Sequence, residues 1–216
     1  DPVGEVYTLY AHLADITPGL REGNRVTRGE RLGTVGNTPS SLIPLARAHL
    51  HFEIGLVMNQ RYEQWAARQK LKNLHGNFNG GNLAGLDPLE LFHFFNDIPN
   101  ATVKDYLTAL SPAFSVVVRG RNGMPDFFAR YPSLLQGDPP PPRTPIWISF
   151  SEGGVPLQGR TAEIQEAERM GRRTAVVLEV AEPVLGRNGR RLVVRKNGEW
   201  TLSSSGEQWL DLLLFE

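Results

Sequence analysis

Glycines at positions 19, 23, 29, 33 and 36 cut residues 17–37 into pieces too short for a helix. An isolated helix needs roughly 12 residues or more to persist in water. Glycine also supplies the positive φ and the close backbone approach that tight turns demand. The spacing therefore predicts very short strands joined in a compact β meander. Two alternating segments flank it. In residues 5–13, Val6, Thr8, Tyr10 and His12 share one face of a strand, while Tyr7, Leu9, Ala11 and Leu13 share the other. In residues 48–54, His49, His51 and Glu53 point one way, and Leu50, Phe52 and Ile54 the opposite way. With 22 Gly and 16 Pro among 216 residues, the expected class is mainly β within α+β.

Downstream the period changes. Tyr62, Trp65, Ala66 and Gln69 recur at helical spacing, so residues 59–72 read as a half-buried helix that Asn59 is placed to cap. The Asn- and Gly-rich residues 74–82 read as a structured surface loop. A second helix follows, with Asp87 as its cap, Pro88 in its first turn, Glu90 three residues after the cap, and Leu91, Phe92 and Phe95 on its apolar side. Pro99 closes it. Strands are expected at 114–118, 146–150 and 174–180, and a short charged helix near 162–170. A hairpin pairs 191–195 with 199–203 through Asn197-Gly198. The proline run 137–142 reads as a stiff surface connector. This divides the chain into 1–98 with an insert at 55–85, a connector at 99–142, and a β-rich module of unassigned role at 143–216.

Composition narrows the chemistry. The 23 Lys+Arg balance 23 Asp+Glu, so no net field recruits nucleic acid or an anionic membrane. No apolar run approaches the roughly 20 residues that span a bilayer. With no cysteine, disulfides, thiol nucleophiles and thiolate metal sites are excluded, and a metal would have to use His, Asp or Glu. A His-x-His on a strand places two imidazoles on one face, roughly 6 to 7 Å apart at their α-carbons. Such a pair can divide work between binding a zinc ion and hydrogen-bonding its water. His12, on another strand, can serve as a donor to a developing oxyanion. Taken alone, a His-x-His is commoner as surface chemistry than as a metal site. Glu53 reads either as a partner of that pair or as a solvated strand residue, and His75 as an exposed loop residue or a substrate contact. His93, among Leu91, Phe92, Phe94 and Phe95, reads as a packed, hydrogen-bonded histidine.

Three blocks in order, Tyr10-Ala11-His12-Leu13, the glycine meander of residues 20–38, and Ala48-His49-Leu50-His51-Phe52-Glu53-Ile54, resemble the lysostaphin-type zinc metallopeptidases that cleave peptide cross-links of bacterial peptidoglycan. The likeness spans roughly residues 4–97 and ends at Gly85-Leu86-Asp87-Pro88-Leu89. The meander alone also suits biotinyl- and lipoyl-carrier domains, but no lysine sits in a tight turn beside a methionine; Lys70 and Lys72 lie on the expected helix.

The resemblance implies an antiparallel sheet or barrel-sandwich core that uses Zn2+, with His51 as a zinc ligand, His49 as general base and His12 stabilising the tetrahedral intermediate. It also implies peptidoglycan peptides as substrates and a periplasmic or extracellular location. The family's other two ligands form a His-x3-Asp motif several strands before the Tyr-x-His-Leu block. Only eleven residues precede His12, and none is histidine. The expectation is therefore the C-terminal part of a longer peptidase, exposing a sheet edge and folding poorly by itself. The rival is a catalytically inactive domain of the same fold that binds and activates a cell-wall amidase.

Overall fold

A computed structural model describes residues 1, 3–38, 44–187 and 190–216. The backbone divides into two compact units, one of residues Tyr7–Ile54 and one of Asp1–Val6 with Gly55–Glu216.

The smaller unit holds β1 (Tyr7–Ala11), β2 (Leu13–Ile16), β3 (Gly33–Val35) and the first part of β4 (His51–Val57). β1 is a neighbour of β4. The alternation expected for β1 is present: Tyr7 is buried, Leu9 and Ala11 are half-buried, and Thr8 and Tyr10 are exposed. β2 and β3 form an antiparallel pair with Leu13 opposite Val35 and Ile16 opposite Gly33. The glycines divide into two groups. Gly19, Gly23 and Gly29 take φ of 92°, 83° and 83°, the left-handed region of tight turns. Gly33 instead permits strand contact, since a Cβ there would lie 2.2 Å from the Asp15 carbonyl oxygen.

In the larger unit β4 pairs antiparallel with β5 (Leu83–Gly85), joining Val57 to Leu83 and Gly55 to Gly85. Between them lies α1 (Tyr62–Arg68), which buries Tyr62, Trp65 and Ala66 as the helical spacing predicts. The helix is shorter than 59–72, and Arg61, not Asn59, is its N-cap. Asn59 is buried and committed elsewhere. Its Oδ1 accepts from the Arg61 N–H at 2.7 Å, and its Nδ2 donates to the carbonyls of Leu212 and Phe215, each at 2.8 Å. A buried amide has to satisfy its donors, and here they close on the far end of the unit. The Asn/Gly loop is ordered by its own side chains: Asn79 accepts from the Gly81 N–H and the Tyr62 hydroxyl, and Asn82 donates to the carbonyls of Asn59 and Asn77.

Next come α2 (Pro88–Asp97) and α3 (Val103–Ala109). Asp87 caps α2 as expected, accepting from the N–H groups of Leu89 and Glu90. His93 departs from expectation. It is exposed, because α2 fully buries only Leu91 and turns His93 to the opposite side. The central sheet is antiparallel in the order β8–β7–β6–β9, from β6 (Phe114–Val118), β7 (Ile146–Phe150), β8 (Pro156–Thr161) and β9 (Ala175–Val180). All five residues of β6 are buried, as the continuous apolar run of a central strand requires. β6 precedes the proline run and β7 follows it, so the run connects two neighbours of one sheet. α4 (Asp126–Arg130) lies within that connection, and α5 (Ile164–Met170) links β8 to β9. After α6 (Glu182–Leu185), β10 (Val193–Lys196) and β11 (Glu199–Leu202) form the expected hairpin, with φ of 51° and 85° at Asn197 and Gly198. α7 (Ser204–Leu213) completes the unit and buries Trp209, Leu210, Leu212 and Leu213. The whole is an α+β, mainly antiparallel fold, and among the described residues no sheet closes into a barrel.

Candidate functional site

The smaller unit gathers three imidazoles. The ring centroids of His12 and His49 are 4.8 Å apart, and those of His12 and His51 are 5.8 Å apart. His12 does not extend the β1 alternation. It occupies the break between β1 and β2 at φ 61°, a left-handed conformation that costs a non-glycine residue of the order of 1 kcal/mol. Its carbonyl accepts from the Gly36 N–H at 2.8 Å, which fixes that turn against the end of the meander. His49 lies just before β4, while His51 is its first residue, so only the second of the pair is strand-borne.

Each ring has a defined hydrogen-bond partner, and each partner fixes a tautomer. A carbonyl can only accept, so the His12 Nδ1–H donates to the Thr38 carbonyl, and the His49 Nδ1–H donates to the Arg47 carbonyl at 2.8 Å. The Nε2 lone pair of each neutral ring is left free of that bond. In His51 the order is reversed: Nε2 donates to Glu53 Oε1 at 2.7 Å, leaving Nδ1 as the basic nitrogen. Glu53 also accepts from the Tyr7 hydroxyl at 3.3 Å through Oε2. Glu53 is therefore the partner of His51 rather than a solvated strand residue. Tyr7 was not legible as part of this group, since its alternation marks only an inward-facing strand residue. Tyr10 packs against Phe52 with ring centroids 5.2 Å apart, an apolar contact between β1 and β4. His75 and His93 belong to the larger unit and are exposed.

A catalytic zinc takes three protein ligands and a water. Among the described residues no three His, Cys, Asp or Glu side chains form a group that could hold a metal ion. The three imidazoles are neighbours, but the Nε2 of His51 is given to Glu53. These residues therefore do not fit a complete zinc site by themselves. What they offer is proton handling by two rings of the same tautomer, beside a third held by a carboxylate.

Among the described residues, no helix is long and apolar enough to cross a membrane. No curated protein and no solved structure is a significant match to the chain. The sequence model of peptidase family M23 does match, over residues 3–63, a stretch that contains His12, His49, His51 and Glu53. The imidazole cluster thus lies inside a stretch, residues 3–63, that is similar to peptidase family M23.

Proposed function

We propose that the chain takes part in hydrolysing peptide bonds of bacterial peptidoglycan, as a zinc-dependent endopeptidase in the periplasm or outside the cell. The observation that carries this reading is the convergence of His12 on both His49 and His51 within the matched stretch. In it His51 is a zinc ligand. His49, with Nδ1–H anchored on the Arg47 carbonyl, presents Nε2 as the base that takes a proton from attacking water. His12 has its Nδ1–H on Thr38, so it donates to a carbonyl oxygen through Nε2 only when that nitrogen is also protonated. Glu53 holds the His51 ring in place.

A second reading is an inactive domain of the same family that binds and activates a cell-wall amidase. The lack of a three-ligand group among the described residues favours it. The deciding experiment is elemental analysis for zinc together with release of amino groups from purified muropeptides, on the chain and on its His49→Ala variant. Cleavage that His49→Ala abolishes while zinc content stays the same supports the peptidase. A protein that binds no zinc and cleaves nothing, yet stimulates an amidase, establishes the second reading.

A further inference from the structure

The larger unit contains a cavity of about 640 Å³ that is separate from the imidazole cluster in sequence. Its walls come from β9, from β11, from α7 and from the residues just beyond β6. The volume falls within the range of about 300 to 1,000 Å³ that ligand pockets occupy.

Three features of the cavity describe its ligand. β9 is the last strand in the order β8–β7–β6–β9, so its outer edge presents backbone N–H and C=O groups without a strand partner among the described residues. Only Ala175, Val176 and Val177 of β9 line the cavity. Leu178 has no partner in the β6–β9 register, and this bulge bends the strand there, limiting any added strand to about three residues.

The second feature is charge at one end of that edge. Arg119 follows β6 and Arg173 precedes β9, and Val118 pairs with Ala175, so both arginines sit at the start of β9. Arg119 bonds only to the carbonyls of Gly171 and Arg173, and Arg173 to that of Arg169. Neither guanidinium meets a carboxylate among the described residues. Arg121, on the same wall, is already neutralised by Asp211.

The third feature is the opposite wall. Glu207 of α7 lines the cavity, is exposed, and forms no ion pair among the described residues. It lies four residues before Asp211, about one helical turn along α7. Trp200 offers a half-buried aromatic face nearby.

We propose that this groove binds a short extended peptide with a free C-terminal carboxylate, added antiparallel to β9. The carboxylate is held by Arg119 and Arg173, the backbone pairs with residues 175–177, and a basic side chain two residues before the terminus reaches Glu207. Strand addition supplies affinity through the main chain, and the terminal charge supplies selectivity. The inference does not rest on the peptidase reading.

The test is a titration of the full chain with N-acetyl-Val-Lys-Val-Ala bearing a free carboxylate, and with its C-terminal amide, followed by calorimetry and by backbone amide shifts. The acid is expected to shift the amides of Ala175–Val177 and the Trp200 indole. Amidation, and Arg173→Gln with an unchanged urea midpoint, are each expected to weaken binding at least about tenfold, as loss of a charge-assisted bond does. Equal binding of acid and amide, shifts confined to other strands, or no saturable binding of the acid at about 5 mM would overturn the proposal.

Discussion

Tyr131 holds together two pieces of backbone that the larger unit draws from distant parts of the chain. Its hydroxyl donates to the Glu5 carbonyl at 2.9 Å and accepts from the Val57 N–H at 3.2 Å, while the side chain is fully buried. Burial is the largest influence on the phenol and pushes its pKa up, so it remains a donor across the neutral range. Tyr131→Phe keeps the ring in contact with Phe127, 4.6 Å away between centroids, and removes only the oxygen. The Glu5 carbonyl belongs to an exposed residue that water can reach, so losing that bond costs about 0.5 to 1.5 kcal/mol. The Val57 N–H belongs to a residue only 5% exposed, and stranding it adds about 1 to 3 kcal/mol. The sum is about 1.5 to 4.5 kcal/mol. Urea unfolding followed by tryptophan fluorescence reads the larger unit directly, because all four tryptophans, Trp65, Trp147, Trp200 and Trp209, lie in it. The midpoint is expected to fall by about 0.5 M or more. A fall of less than about 0.2 M would mean that the Val57 N–H finds another partner and would refute the reasoning.

Three further predictions concern other sites. Burial alone would raise the pKa of Asp211, but hydrogen bonds from Trp65, Arg68 and Arg121 and the charge of Arg68 outweigh it and hold the carboxyl below its usual value. A depressed folded pKa contributes stability that is complete above the unfolded value near 4 and is lost as pH falls through the folded value. Asp211→Asn should therefore lower the urea midpoint at pH 7 and flatten its decline below about pH 4; parallel pH profiles would count against this. Ser149 is 1% exposed, lies opposite Ser115 in the β6–β7 pair, and its hydroxyl has no hydrogen-bond partner among the described residues. Ser149→Ala removes a desolvated polar group and should stabilise the larger unit by about 1 kcal/mol in the same assay, whereas a loss would reveal a partner for the hydroxyl. Gly33→Ala forces a methyl to 2.2 Å from the Asp15 carbonyl, so the β2–β3 pair must separate. Amide exchange of Leu13–Ile16 should accelerate at least about tenfold, and unchanged protection would show that the strands accommodate the methyl.

Much of this architecture is readable from local chemistry. Asp87-Pro88-x-Glu90 announces a helix start because cap, ring and carboxylate all act within one turn, and the structure begins α2 there. Asn197-Gly198 announces its hairpin because few residues tolerate two successive positive φ values. The unread parts depend on distant partners. Asn59 has the chemistry of a cap, yet its amide is taken by Leu212 and Phe215, which no local pattern announces. α7 and β8 escaped notice because their apolar positions become meaningful only against the sheet that they cover or extend. The His-x-His spacing identified the pair, and alternation put Glu53 beside it. The turn that brings His12 to both rings lies in a single dihedral, φ 61°, that periodicity does not encode.

The bonds from Asn59 span 153 and 156 residues, and the Trp65 indole reaches Asp211 across 146. Native pairing of such range is slow to form, because loop closure must be completed before the contacts repay it. On a ribosome the delay is longer still. At about 5 to 20 residues per second, α1 waits roughly 8 to 30 s after its own synthesis for the partners that complete its packing. During that interval the apolar side of α1, with Tyr62, Trp65 and Ala66, is without α7. The nascent larger unit therefore exposes this apolar side during synthesis, and slower translation lengthens the interval in which it can aggregate.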